Sequence, residues 1–214
     1  MVENNKQDSW ANPAPAGLVA LAVSCFCFFA LFTERVTENA TPLLGWWLLG
    51  GFVIQLIVGI IDLKNGNTVG GNTFLYFSAF FMLVGGLEQL FKFYLVDSQI
   101  MLDTKIDGWA WLCLSLALWL FTPAYFKSPL LLCLIVIILD VALPLLAFMD
   151  LGIISRQFSY IPGWLLLLAG LIGIYLAAAI VVNDTFNKKV YPNPDPLMKF
   201  MDRSHELKTE TIRD

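Results

Sequence analysis

Six separate runs of this sequence are each long and apolar enough to cross a bilayer, and no other feature narrows its fold so far. They lie at roughly 14–32, 43–61, 73–95, 108–126, 129–149 and 162–182. A spanning helix needs about 20 mostly apolar residues. The expected fold class is therefore all-α, a polytopic membrane protein built as a six-transmembrane-helix bundle. Composition agrees, since hydrophobic residues make up 58% of the chain and charged ones only 14%, far from a soluble domain. With 214 residues there is room for one membrane domain and short tails. The domain reading is an N-terminal cytoplasmic tail at 1–11, a transmembrane transport domain at 12–186 and a polar cytoplasmic tail at 187–214. The first run follows a polar stretch without a basic n-region, so it reads as a retained span rather than a signal peptide. The last tail is polar and proline-broken and is expected to be loosely ordered.

Basic residues in the short loops set the orientation. Lys6, Lys64, Lys127, Lys188, Lys189 and Lys199 fall on one side, and Arg35, Lys92, Lys105 and Arg156 on the other. The bias places both termini in the cytoplasm of a multi-pass protein of the plasma or inner membrane, in contact with lipid. "NAT" at Asn39 matches a glycosylation sequon on the outer side, which matters only in a secretory-pathway cell. Cys25, Cys27, Cys113 and Cys133 all sit inside apolar runs, where a thiol behaves as a small hydrophobe, and they indicate neither a disulfide framework nor a metal site. The single histidine, His205, lies in the polar tail, and there is no nucleotide loop. Neither a nucleophile–base pair nor a zinc ligand set can be assembled, so catalytic residues, metal ligands and cofactors are all read as none. Without a basic patch, nucleic-acid binding is excluded as well.

The entrance to the first run, "NPAPAGL" at 12–18, is unusual. Asn12 is suited to cap a helix, Pro13 to its first position, and Pro15 removes another N–H that a helix start leaves unsatisfied. Such a start has two readings: simple capping, and a weakly positive helix end that attracts a small anion. A second polar cluster, "GGFVIQLIVGIIDLKNGNTVGGNTF" at 50–74, places Gln55 well inside the second run, where an amide needs a partner or water. The loop that follows carries Asn67 and Thr68. It reads either as a tight turn or as a set of amide and N–H groups presented to a solute.

Together these strings resemble the acetate uptake transporter family, which includes the bacterial succinate–acetate permeases. "NPAPAGL" is similar to that family's NPAPLGL signature, and "GxxxxQxxxGxxDxKxGNTxGG" to its GNTF region. "GWLLLLAGLIGIYLAAAIVVNDTFNKKVYP" at 163–192 is similar to its closing span, whose asparagine landmark is Asn183 here. The resemblance implies a six-helix protomer within a homo-hexamer, each protomer carrying its own pathway for acetate or a similar small carboxylate. It also implies an apolar constriction of Phe, Tyr and Leu, whose positions fall here on Leu21, near Phe77, and near Leu139. Two of the three differ from the commonest pattern, and the narrowing is expected to lose the tyrosine hydroxyl. A small residue of the last span that lines the pathway corresponds to Gly173, and Asn183 is counted with the pathway.

One departure stands out. The family often carries a glutamate shortly before the closing asparagine, whereas this chain has Ile180 there and instead places Asp140 within "LIVIILDVALPLL". A carboxylate in mid-span costs on the order of 3 kcal/mol and should face a cavity, a partner or a proton. Pro144 removes the N–H that would bond the carbonyl of Asp140. Glu88 and Lys92, spaced i, i+4, are expected to pair with each other. The functional expectation is a transporter or channel for acetate and related short carboxylates, with succinate as substrate and coupling to protons left open. The alternative is a channel for ammonia, ammonium or another small polar solute, which Asp140 would suit as a cation site. A sensor or scaffold is a third class, disfavoured because the short polar tail carries no folded output module.

Overall fold

The computed structural model describes residues 10–95 and 102–199. Among them, six helical spans are long and apolar enough to cross a membrane. The first is α1 (Ala14–Phe32) and the second α2 (Thr41–Lys64). The third is compound: α3 (Thr68–Tyr76), a π-helical stretch over Phe77–Val84, and α4 (Gly85–Leu95). The fourth to sixth are α5 (Lys105–Tyr125), α6 (Leu130–Asp150) and α7 (Tyr160–Phe186). All six expected runs are present, most with ends displaced by a few residues. The largest change is at the third span, which begins at Thr68 rather than 73. There Asn67 caps the helix, its side-chain oxygen accepting from Gly70 N at 3.1 Å, and this cap starts the helix before hydropathy alone would.

The spans form a closed ring in chain order, with α7 returning to pack along α1. That closing seam is built from small residues. Ala169, Gly170, Gly173 and Ala177 of α7 are buried, as are Gly17, Ala20, Ala22, Ser24 and Cys25 of α1. Small residues let helix backbones approach where no hydrophobic force separates protein from lipid. The α2–α3 hairpin is equally tight. Gly66 turns the chain at φ +82°, and a Cβ on Gly71 would lie 2.9 Å from the backbone nitrogen of Leu63. Outward faces are as apolar as the interior: Trp46, Trp47, Leu120 and Ile174 are exposed, as a lipid-facing surface requires.

At the end of the bundle that carries both described chain ends, residues after α7 form a strap. Asn187 adopts a left-handed conformation that ends the helix. The strap then runs back, with Tyr175 Oη donating to Pro192 O at 2.9 Å, Leu130 N to Pro194 O at 3.3 Å and Met198 N to Phe126 O at 3.1 Å. The expectation of a loosely ordered tail from 187 is thus corrected for 187–199, where backbone and side-chain hydrogen bonds hold it. Lys6, His205 and the remainder of both tails lie outside the described residues.

Candidate functional site

At the strap end of the bundle, the N-terminal segment is tied to the α2–α3 turn. Trp10 N donates to Asn65 Oδ1 at 3.1 Å, Asn65 Nδ2 returns a bond to Trp10 O at 3.2 Å, and Lys64 Nζ lies 4.2 Å from the centre of the Trp10 ring. Asn12 is exposed, and its Oδ1 accepts from Ala14 N at 3.0 Å. The register differs by one residue from expectation: Pro13 is the N-cap rather than the first helical residue, because Asn12 folds over Ala14 from one position earlier. Asn67 spends its amide on the chain, with Nδ2 donating to Asp62 Oδ2 at 3.0 Å, while Thr68 is exposed beside it. Asp62 itself is almost fully buried, 3% exposed.

Leu21 of α1, Phe77 at the start of the π-helical stretch and Leu139 of α6 belong to one hydrophobic cluster, together with Leu18, Leu118 and Ile135. The π-helical stretch is a local rewinding of the kind that often marks a functional site. Tyr76 stacks on Phe77 with ring centroids 4.7 Å apart. A tyrosine thus stands one position from the aligned aromatic. Gly173 faces Leu18 O, and a Cβ there would stand 3.5 Å from it, in ordinary contact. Gln55, buried, reaches Gly17 O only at 3.5 Å, and its Oε1 has no partner among the described residues.

Asp140 is the eleventh of the 21 residues of α6, hence at its middle. Its Oδ2 lies 2.6 Å from Thr122 Oγ1 of α5, and its Oδ1 is buried without a partner. Its backbone carbonyl, left free by Pro144, accepts from Trp119 Nε1 at 2.7 Å. On the strap side of this group, Tyr125 Oη donates to Thr73 Oγ1 at 2.8 Å. Asn183 is held elsewhere: its Oδ1 accepts from Val190 N at 2.7 Å and Tyr191 N at 2.8 Å, and its Nδ2 donates to Tyr191 O at 2.8 Å. It anchors the strap. At the opposite end Lys92 pairs with Glu88 as expected and also reaches Asp107 Oδ2 of α5 at 3.0 Å, a third member the i, i+4 spacing does not reveal. Among the described residues no group of three or more metal-ligating side chains forms.

Sequence reasoning did not single out Asp62, Tyr76, Thr122 or Tyr125. Asp62 carried a signal, being an acid within the last turns of an apolar run and part of the quoted motif. The hydroxyl residues carried none, because Tyr76 lies in the third span and Thr122 and Tyr125 in the fourth, and only packing brings them together.

Comparison with known proteins follows this geometry. A sequence profile of the GPR1/FUN34/yaaH family matches residues 2–195. The succinate-acetate/proton symporter SatP of Escherichia coli (strain K12) is 28% identical over 191 residues, covering 85% of this chain and 94% of that protein. Ammonia transport outward protein 2 of Saccharomyces cerevisiae is 32% identical over 80 residues, which cover 36% of this chain and 28% of that protein. Among solved structures, that of the bacterial acetate channel SatP superposes with a TM-score of 0.75 at 22% identity, over 86% of this chain and 99% of that chain. The six-helix fold is shared.

Proposed function

The chain belongs to the GPR1/FUN34/yaaH family, and from that premise we propose that it passes acetate and similar short monocarboxylates across a plasma or inner membrane. The protomer has both termini in the cytoplasm and assembles as a homo-hexamer, each copy with its own pathway. The observation that supports this reading is that Leu21, Phe77 and Leu139, from three different spans, lie in or pack against one hydrophobic cluster. An apolar ring of that kind admits a methyl group and resists larger or more polar solutes. The N–H groups at the start of α1, beside Asn12 and Pro13, attract the carboxylate at the cytoplasmic mouth. Asn67, Thr68 and Gln55 follow as polar contacts, with the unpartnered Gln55 Oε1 able to accept from water or from a protonated acid. Gly173 and Asn183 complete the expected lining, Asn183 by holding the strap at the mouth.

A bare carboxylate crossing an apolar ring loses several kcal/mol of hydration, so one proton travelling with it lowers the barrier. Labelled-acetate uptake into protein-containing liposomes tests the reading, with benzoate, citrate and ammonium measured on the same preparation. Acetate is expected to enter fastest, and equal entry of acetate, benzoate and citrate overturns it. Leu21→Ala, Phe77→Tyr and Gly173→Ser are each expected to change the ratio of acetate to larger hydroxy-acid flux. The second reading, an ammonium pathway, draws on Asp140 as a mid-membrane carboxyl group. Ammonium flux that collapses in Asp140→Asn while acetate flux persists would favour it.

A further inference from the structure

Thr122 Oγ1 stands 2.9 Å from Leu118 O and 2.6 Å from Asp140 Oδ2. A hydroxyl carries one hydrogen. That hydrogen goes to Asp140 Oδ2, to Leu118 O or is shared between them, and the other carboxyl oxygen of Asp140, Oδ1, has no partner among the described residues and is the one that can carry a proton of its own. Among the described residues no lysine or arginine forms an ion pair with Asp140. The groups that face it are neutral or acidic on every side: Thr122, Trp119 and Tyr125 from α5, Tyr76 from α3 and Cys133 from its own helix. Asp62 of α2 acts on Tyr125 alongside Asp140. Asp140 Oδ1 is buried and unpartnered, and Tyr76 Oη, beside Thr73, has at most that one neighbour among the described residues. In sequence, Tyr76 precedes Phe77 and Asp140 follows Leu139, two positions of the expected narrowing.

We propose that Asp140, with Tyr76 and Thr122, forms a mid-membrane site that binds the head of a short monocarboxylic acid together with one transferable proton. This rests on the acetate reading and assigns the residue that carries the proton. Tyr76 Oη donates to one oxygen of the substrate, and the second substrate oxygen meets Asp140 Oδ1. The O–H bond on Asp140 Oδ1 breaks as one forms on the carboxylate, which leaves as the neutral acid and leaves Asp140 charged. Thr122, donating to Asp140 Oδ2, holds the carboxylate so formed. A proton from the mouth by which the carboxylate entered restores the first state, so that each cycle moves one carboxylate and one proton together and no net charge. Thr122 is a positioning residue, while Asp140 and Tyr76 touch the substrate.

The test uses the full chain in liposomes with a potassium-diffusion potential, protein-free liposomes giving the background. In the wild type, saturable acetate uptake is expected to be indifferent to the imposed potential and to fall with rising pH, by at most about tenfold per unit for one titrating proton. In Asp140→Asn that linkage is lost, and any saturable flux that remains follows the potential as a bare anion. Tyr76→Phe is expected to raise the KM for acetate several-fold while uptake stays electroneutral. Should Asp140→Asn fail to fold, Thr122→Val decides, with the midpoint of the pH profile expected to move. Electroneutral, pH-dependent uptake in Asp140→Asn overturns this assignment and leaves the acetate reading standing, and so does an unmoved midpoint in Thr122→Val. A wild type without saturable acetate uptake overturns the acetate reading and, with it, this one.

Discussion

Pro144 deprives the carbonyl of Asp140 of its helical donor, and the structure answers with the indole of Trp119 at 2.7 Å. Within a bilayer such a carbonyl finds no water. Trp119→Phe keeps an aromatic ring but removes the N–H, so the carbonyl is left unpaired at a cost of about 1–3 kcal/mol. Pro144→Ala returns an N–H at position 144 that bonds the same carbonyl within the helix. Trp119→Phe should then cost less by roughly 1–2 kcal/mol, the coupling typical of residues sharing one partner. Differences in ring packing and proline strain cancel in the cycle, because each appears in two of the four proteins. Reversible unfolding in mixed micelles, followed by far-UV circular dichroism, supplies the four stabilities. An equal cost of Trp119→Phe in both backgrounds would refute the assignment of the indole as substitute donor.

Three further outcomes are expected. Gln55→Leu removes a buried amide whose Oε1 is unpartnered and whose only bond is 3.5 Å long, so stability should hold or rise by about 1 kcal/mol while acetate flux falls; an undiminished flux would remove Gln55 from the pathway. Gly108→Ala forces a Cβ to within 2.8 Å of the backbone nitrogen of Leu151, whereas at Gly173 the nearest atom is 3.5 Å away. The first should cost about 1–3 kcal/mol and the second almost nothing in micelle unfolding, so equal costs would contradict the packing. Asn183→Ala breaks three hydrogen bonds to the strap. At about 1 kcal/mol each, amide exchange at Val190 and Tyr191 should quicken on the order of 150-fold, and unchanged exchange would mean that other contacts hold the strap.

The number of spans, their approximate limits and the charge bias of the loops were legible in the chain, because each depends on local hydropathy. So were the α2–α3 turn, from its glycine and asparagine, and the freed carbonyl at Asp140, which follows from Pro144 alone. The placing of Leu21, Phe77 and Leu139 came from motif resemblance, since nothing in the composition of their spans distinguishes them from their neighbours. In a lipid-embedded bundle the outward and inward faces are equally apolar, so no periodicity says which side of a helix looks inward. Tyr76 illustrates the loss: a rewound stretch beginning one residue later presents its hydroxyl beside Phe77, and aligned positions cannot foresee it.

What the sequence determined by itself is the class of molecule: six helices, each forced by the requirement that backbone groups in lipid bond within their own segment. It also determined that Asp140 needed a partner. Only the tertiary structure decided that the partner is Thr122, that Asn183 binds the strap, and that Lys92 joins two acids rather than one. These contacts join residues from different elements, and side-chain reach across helices depends on how each helix is rotated in the ring, which packing of small residues such as Gly170 and Ala177 against α1 sets.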